Sequence, residues 1–321
     1  MKFPVELHSP KQVARALGVS ESSMKRWCDD GLIRTTRTAG GHRKVQSSDA
    51  IQFARQQGLT FVTPEIFGLP PAGVETDSET AATMLAEALL DGNDSLSRQL
   101  VLNLAFNKQP LASLFDNVIA QAFVEIGERW ACRQADVYQE RRGCETILRI
   151  LSEISATLAP SSSTLSACGG TATGNAYAIQ TSMAEIVLRD CGYSARSLGT
   201  GIPFDSLVQA IRDLRPDLFW LSAAYIADET AFLRGMRDLS ATCTEVRSTL
   251  VIGGRALTPT LREHIPDATY CENMQQLTTL ARSLARIHEK SLAEAAGKIK
   301  NAGTSNRFPE SKRSSASKRK K

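Results

Sequence analysis

The chain has 321 residues, is 42% hydrophobic and carries a formal net charge of +4. That length predicts two or three domains with real cores. No run of eighteen apolar residues occurs, which excludes a membrane-spanning helix, and no signal-peptide pattern opens the chain.

Seven cysteines are scattered without a C-x-x-C pair, which argues against a disulfide framework or zinc site and for reduced thiols in a cytoplasm. The charge is unevenly placed. Residues 1–58 hold ten Lys or Arg against five Asp or Glu, and residues 301–321 hold seven against one, so an acidic body lies between two basic ends. Neutralising nucleic-acid phosphates would fall to those ends.

Ser9 and Pro10 form a helix start, and Val13, Ala14 and Leu17 fall on one face of that helix. Gly18 ends it, Val19 packs in the turn, and Ser20 caps a second helix with Glu21 in its first turn. Met24 and Trp27 face the core, which leaves Ser22, Ser23, Lys25 and Arg26 outside. A short polar, basic helix after a tight turn is the layout of a recognition helix. Gly31 closes it. Leu32-Ile33 is expected to begin a strand, with Arg43-Lys44-Val45 returning antiparallel across a Gly40-Gly41 tip. Arg37, His42, Arg43 and Lys44 make this wing cationic, suited to phosphates. A small helical domain with an ordinary charged surface is the plainer reading of the same residues.

The runs Leu17-Gly18-Val19-Ser20, Lys25-Arg26-Trp27-Cys28-Asp29-Asp30-Gly31-Leu32-Ile33 and Arg37-Thr38-Ala39-Gly40-Gly41-His42-Arg43-Lys44 resemble the DNA-binding domain of MerR-type transcriptional regulators. The resemblance covers about residues 1–58. It implies a winged helix-turn-helix that binds double-stranded promoter or operator DNA as a homo-oligomer.

Residues 59–78, with Pro64, Pro70, Pro71 and Gly73, read as a linker whose Phe61, Ile66 and Phe67 would pack on a neighbour. From 79 to 160 the pattern is helical throughout, in segments 79–91, 94–107, 111–131 and 135–158. Short loops between such helices predict an antiparallel four-helix bundle. From 161 to 297 short apolar runs alternate with helices. The runs at 164–168, 194–198, 217–222 and 248–252 predict a flavodoxin-like, doubly wound parallel sheet. Residues 298–321 form a basic tail expected to be disordered. The fold class is therefore multidomain, α and α/β.

This order of parts resembles the B12-binding relatives of MerR, which are light-responsive or cobalamin-responsive repressors. In that family Trp, nine residues and Glu-His cover the upper face of the corrin. Here Trp130 is followed by Glu140, but Arg141 replaces the histidine. The family's Asp-x-His-x-x-Gly supplies the lower cobalt ligand. Here Asn175, Tyr177 and Gln180 stand in those three places. Gly253-Gly254 matches a later glycine pair, and Ser222 matches a strand-end serine.

A phenol is a poor ligand for a borderline metal where imidazole is a good one. Histidine-ligated cobalamin at Tyr177 is therefore excluded, and cobalamin in another mode stays open. Trp130 and Glu140 read equally well as a core aromatic and a surface acid. The strand-end glycines read equally well as tight turns. No Walker A, G-x-S-x-G or H-E-x-x-H pattern occurs, so no enzyme, catalytic residue or metal site is expected.

The expectation is a cytoplasmic regulator whose rear module senses a ligand or controls oligomerisation. The alternatives are a regulator whose degenerate sensor binds a partner protein and no ligand, a true cobalamin-dependent light or B12 sensor, and a corrinoid methyltransferase module. The last is disfavoured by the missing histidine and the attached head. Candidate ligand-binding residues are Trp130, Glu140, Arg141, Tyr177, Ser222, Gly253 and Gly254.

Overall fold

Strand β1 (Leu7–His8) leads into helix α1 (Pro10–Ala16), whose start is held by a capping box. The Gln12 N–H donates to the Ser9 hydroxyl at 3.2 Å, and the Ser9 N–H donates to the Gln12 side-chain oxygen at 2.8 Å. The computed structural model describes residues 7–67, 69, 76–106, 109–158, 164–265 and 267–304, with side chains as far as 290. Pro70, Pro71 and Gly73 of the expected linker lie outside the described residues, as does most of the basic tail.

Val13, Ala14 and Leu17 are buried, and Gly18 turns the chain with φ +64°. Helix α2 (Glu21–Asp29) is capped by Ser20, whose hydroxyl accepts from the Ser23 N–H at 3.1 Å. Met24 is buried, and the Trp27 ring lies 5.1 Å from Phe53.

The expected strand at Leu32-Ile33 is corrected. Both amides donate back to the Trp27 carbonyl, at 2.9 and 3.4 Å, so these residues finish the helix turn while Ile33 drops into the core. Strand β2 (Thr36–Arg37) starts three residues after Ile33 and pairs antiparallel with β3 (Arg43–Gln46). The hairpin tip closes where the Thr38 N–H donates to His42 O at 2.9 Å and the Gly41 N–H donates to Thr38 O at 2.8 Å. Gly41 has φ +79°, which a residue with a side chain rarely adopts. Strand β3 also pairs with β1, completing a three-stranded sheet.

Helix α3 (Ser47–Gln56) was not expected. Gln46 gives it no side-chain cap, so no start signal marks it, yet Ala50, Ile51, Phe53 and Ala54 are all buried. A 3₁₀ turn (Pro64–Phe67) then places the Phe67 ring 4.7 Å from His8 and 5.4 Å from Phe61. The apolar part of the expected linker therefore packs on the head.

Helices α4 (Ser78–Asp91), α5 (Asp94–Phe106), α6 (Leu111–Leu114), α7 (Ala120–Ala131) and α8 (Val137–Thr157) form a helical layer. A π-turn (Phe115–Ile119) joins α6 to α7, so the segment expected as one helix is continuous but locally widened. Helix α4 packs on α5, α7 and α8, and the shared core includes Leu85, Leu89, Phe115, Ile126 and Ile147.

Next come β4 (Ser166–Gly170), α9 (Ile179–Asp190), β5 (Ser194–Ser197), α10 (Phe204–Leu214), β6 (Leu218–Ser222) and α11 (Glu229–Val246). They are followed by β7 (Thr249–Gly253), α12 (Pro259–Arg262), β8 (Thr269–Tyr270) and α13 (Met274–Thr304). The order β5-β4-β6-β7-β8 is parallel throughout, the flavodoxin-like arrangement with its switch point between β4 and β6. The two-residue β8 was not expected. The chain divides into compact units after Thr279, and the described part of the second unit is the rest of α13. Among the described residues, no helix is long and apolar enough to cross a membrane.

Candidate functional site

In a parallel sheet with this strand order, ligands sit beyond the carboxyl ends of the strands at the switch point. Here that edge faces the helical layer across a cavity of about 770 Å³. Ile119, Phe123 and Val124 line it from the π-turn and α7, and Glu140, Arg141, Cys144 and Leu148 line it from α8. The sheet side contributes Tyr177, Gln180, Met183, Ser222, Gly253, Gly254 and Arg255. Six of the seven candidates thus surround one space. Trp130 is the exception and is corrected: it sits at the end of α7, 51% exposed, and is not among the lining residues.

The loop between β4 and α9 sets the floor. Asn175 is 2% exposed. Its amide donates to Ser222 O at 3.0 Å, and its side-chain oxygen accepts the Tyr177 N–H at 3.1 Å. Thr171 ties the same loop by donating its hydroxyl to Asn175 O at 2.5 Å and accepting the Gly201 N–H at 2.9 Å. This network aims the Tyr177 ring into the cavity. There the Arg141 guanidinium lies over the ring 5.3 Å from its centroid, and the Arg255 guanidinium at 5.8 Å. A ring face is negative and attracts both cations. One arginine comes from α8 and the other follows β7, so the tyrosine bridges the two layers. Arg255 was missed from sequence, although it directly follows the singled-out Gly253-Gly254.

The glycine pair has a steric reason. A Cβ on Gly253 would lie 2.5 Å from Cys271 O, and one on Gly254 would lie 2.3 Å from Ala223 O, where φ is also +126°. Asp116 was also missed. The π-turn holds it at the cavity wall, where its carboxylate accepts the Met274 N–H at 2.8 Å and the Gln275 N–H at 3.0 Å at the start of α13. A lone acid inside an apolar stripe, at Leu114-Phe115-Asp116-Asn117-Val118, was the available signal.

A corrinoid whose cobalt takes a protein ligand would need a suitable donor side chain in this cavity. No histidine is among the residues lining the cavity. Burial pushes the Cys144 and Cys271 thiols up to about 11, which keeps them protonated near neutrality. Two guanidiniums lie against the Tyr177 ring, and Gln180 also lines the cavity. These residues do not fit histidine-type ligation. No group of three or more potential ligands capable of holding a metal ion occurs among the described residues.

In the head, Ser22, Lys25 and Arg26 are exposed on α2, and Ser23 is half-buried. Arg37 and His42 are exposed on the hairpin, and Lys44 is half-buried. Arg43 is engaged: its guanidinium meets the Asp29 carboxylate at 2.6 Å and pins the hairpin to α2. That hydrogen bond holds the Asp29 carboxyl below the usual range. The head is fastened to the body through Arg55 of α3, which forks onto Asp190 at the end of α9 at 3.1 and 3.2 Å.

Residues 81–154, within the helical layer, match the protein family described as a B12 binding domain. Among solved structures, the chain is similar to the monomethylamine corrinoid protein of Methanosarcina barkeri, with 14% identity and a TM-score of 0.54 over 65% of this chain and 100% of that one. Weaker likenesses, each with a TM-score of 0.34, are to two further structures. One is a cobalamin-binding protein of Desulfitobacterium hafniense DCB-2, at 15% identity over 64% of this chain and 98% of that one. The other is the methanol:cobalamin methyltransferase complex of Methanosarcina barkeri, at 14% identity over 83% and 92%. No match was found among curated proteins. Residues 81–154 thus match a B12 binding domain, and over 65% of the chain the fold is like that of a corrinoid protein.

Proposed function

We propose that this chain is a DNA-binding transcriptional regulator, without catalytic activity, whose rear module responds to a ligand held in the interlayer cavity. The observation that carries the reading is the pairing of an exposed polar, basic face on α2 with a basic hairpin beside it. Ser22, Lys25 and Arg26 are exposed on α2, Arg37 and His42 are exposed on the hairpin with Lys44 half-buried, and the Arg43–Asp29 ion pair holds the hairpin to that helix. In this reading residues 1–58 are a winged helix-turn-helix, α2 enters the major groove, and the hairpin meets phosphates. Arg43 acts by positioning the wing through Asp29. Residues 79–160 act as a four-helix bundle capping the sheet, and the active form is a cytoplasmic homo-oligomer on double-stranded DNA.

A route for control exists in the same packing. Helix α9 starts at the cavity beside Gln180 and ends at Asp190, which holds Arg55. Ten residues of helix span about 15 Å. Helix α8 lines the cavity and also packs on α3. A ligand that shifts α8 or α9 therefore reaches the helix behind the wing. Cobalamin, if bound, would be held without a histidine ligand.

A second reading, in which the module docks a protein, is favoured by the exposed Trp130, Val137 and Tyr138 around the turn from α7 to α8. Selection of bound sequences from a random duplex pool tests the main reading. Enrichment of an inverted repeat is the expected result, because two-fold oligomers mirror their operators. A pool that stays random under low salt would refute it.

A further inference from the structure

We infer that the interlayer cavity takes a mainly apolar organic anion. This rests on the reading of that cavity as the sensor site. A cavity of about 770 Å³ falls within the range of small-molecule sites. Ile119, Phe123, Val124, Leu148 and Met183 give it apolar walls.

The anion is called for by Arg141 and Arg255. Both guanidiniums gather on one tyrosine ring, and neither has an ion-pair partner among the described residues. The nearby acids do not relieve them. Asp116 is taken up by the amides of α13, and Glu272 by Arg262 at 2.8 Å. Glu140 and Glu145 line the cavity but form no ion pair with either arginine among the described residues. Two guanidiniums without ion-pair partners at one cavity favour an anion there, and guanidiniums bind carboxylate-like groups through paired hydrogen bonds.

The probe pair is 1-anilinonaphthalene-8-sulfonate and N-phenyl-1-naphthylamine. They share the aromatic body and the N–H, and only the first is an anion. Binding to the full chain is read by fluorescence titration. The sulfonate is expected to bind one per chain, about tenfold or more tighter than the neutral amine. Arg141→Gln with Arg255→Gln should bring the two affinities together. Both positions are exposed, so the fold should survive, and circular dichroism checks it. Equal affinities in the wild type, or a preference that survives the double arginine variant, would overturn the inference. DNA binding is not read in this experiment, so its failure and that of the regulator reading remain distinct.

Discussion

Among the described residues, the ion pair between Arg55 and Asp190 is the one charged tie between the N-terminal head and the sheet domain, and it yields a quantitative test. The pair is a bidentate fork with side chains 15% and 27% exposed. A fully exposed pair contributes about 0–1 kcal/mol. Partial burial and the two-pronged geometry raise this one to about 1–2 kcal/mol after screening. The test is a double-mutant cycle with Arg55→Gln, Asp190→Asn and the double variant, read by amide hydrogen exchange across α3. Local opening of α3 should become about 5- to 30-fold more frequent in each single variant. The double variant should be little worse than either single one, because both remove the same interaction. High salt should shrink the effect only modestly for so shielded a pair. Additive effects of the two substitutions, or unchanged exchange in α3, would show that the head is not held by this contact. The proposed route through α9 would then lose its last link, leaving only the packing of α8 on α3.

Three further outcomes follow from the geometry. Asp116→Ala removes both amide acceptors at the start of α13, so the Met274 and Gln275 amides should exchange about 5- to 30-fold faster; unchanged rates would show that the cap is idle. Gly169→Ala would place a Cβ 2.1 Å from Trp220 O between neighbouring strands β4 and β6. The expected cost of about 1–3 kcal/mol should lower the melting temperature by several degrees, and an unchanged melt would contradict the strand packing. Burial pushes Cys144, Cys243 and Cys271 up to about 11 and Cys168 to about 12, whereas Cys132 is exposed. Iodoacetamide at pH 8 should therefore label Cys132 first, with peptide mapping as the check. Equal labelling of Cys144 or Cys271 would mean that the cavity is open to bulk water.

Where periodicity or a cap spoke, the chain was legible. Ser9, Ser20 and Gly18 marked the first two helices, and the shift from helical to alternating pattern near residue 164 marked the sheet. The misses share a physical cause. Helix α3 lacks a side-chain cap, β8 is two residues long, and the Leu32-Ile33 run looked like a strand although it ends a helix, with only Ile33 entering the core. The cavity was half legible. Tyr177 and Arg141 stood out because they replace histidines of a known pattern. Their meeting, with Arg255 arriving from about eighty residues later, depends on the packing of α8 over the sheet, which no local pattern encodes. Trp130 followed the pattern but not the geometry.

The measurement that bears most directly on the central claim is the salt dependence of duplex DNA binding by the full chain. Anisotropy titrations of wild type, Lys25→Ala and Arg26→Ala would be run across a salt series. Each lost cation should weaken binding and reduce the slope of log K against log salt by about 1. Wild-type binding that is absent, or whose slope neither substitution changes, would show that α2 does not face DNA.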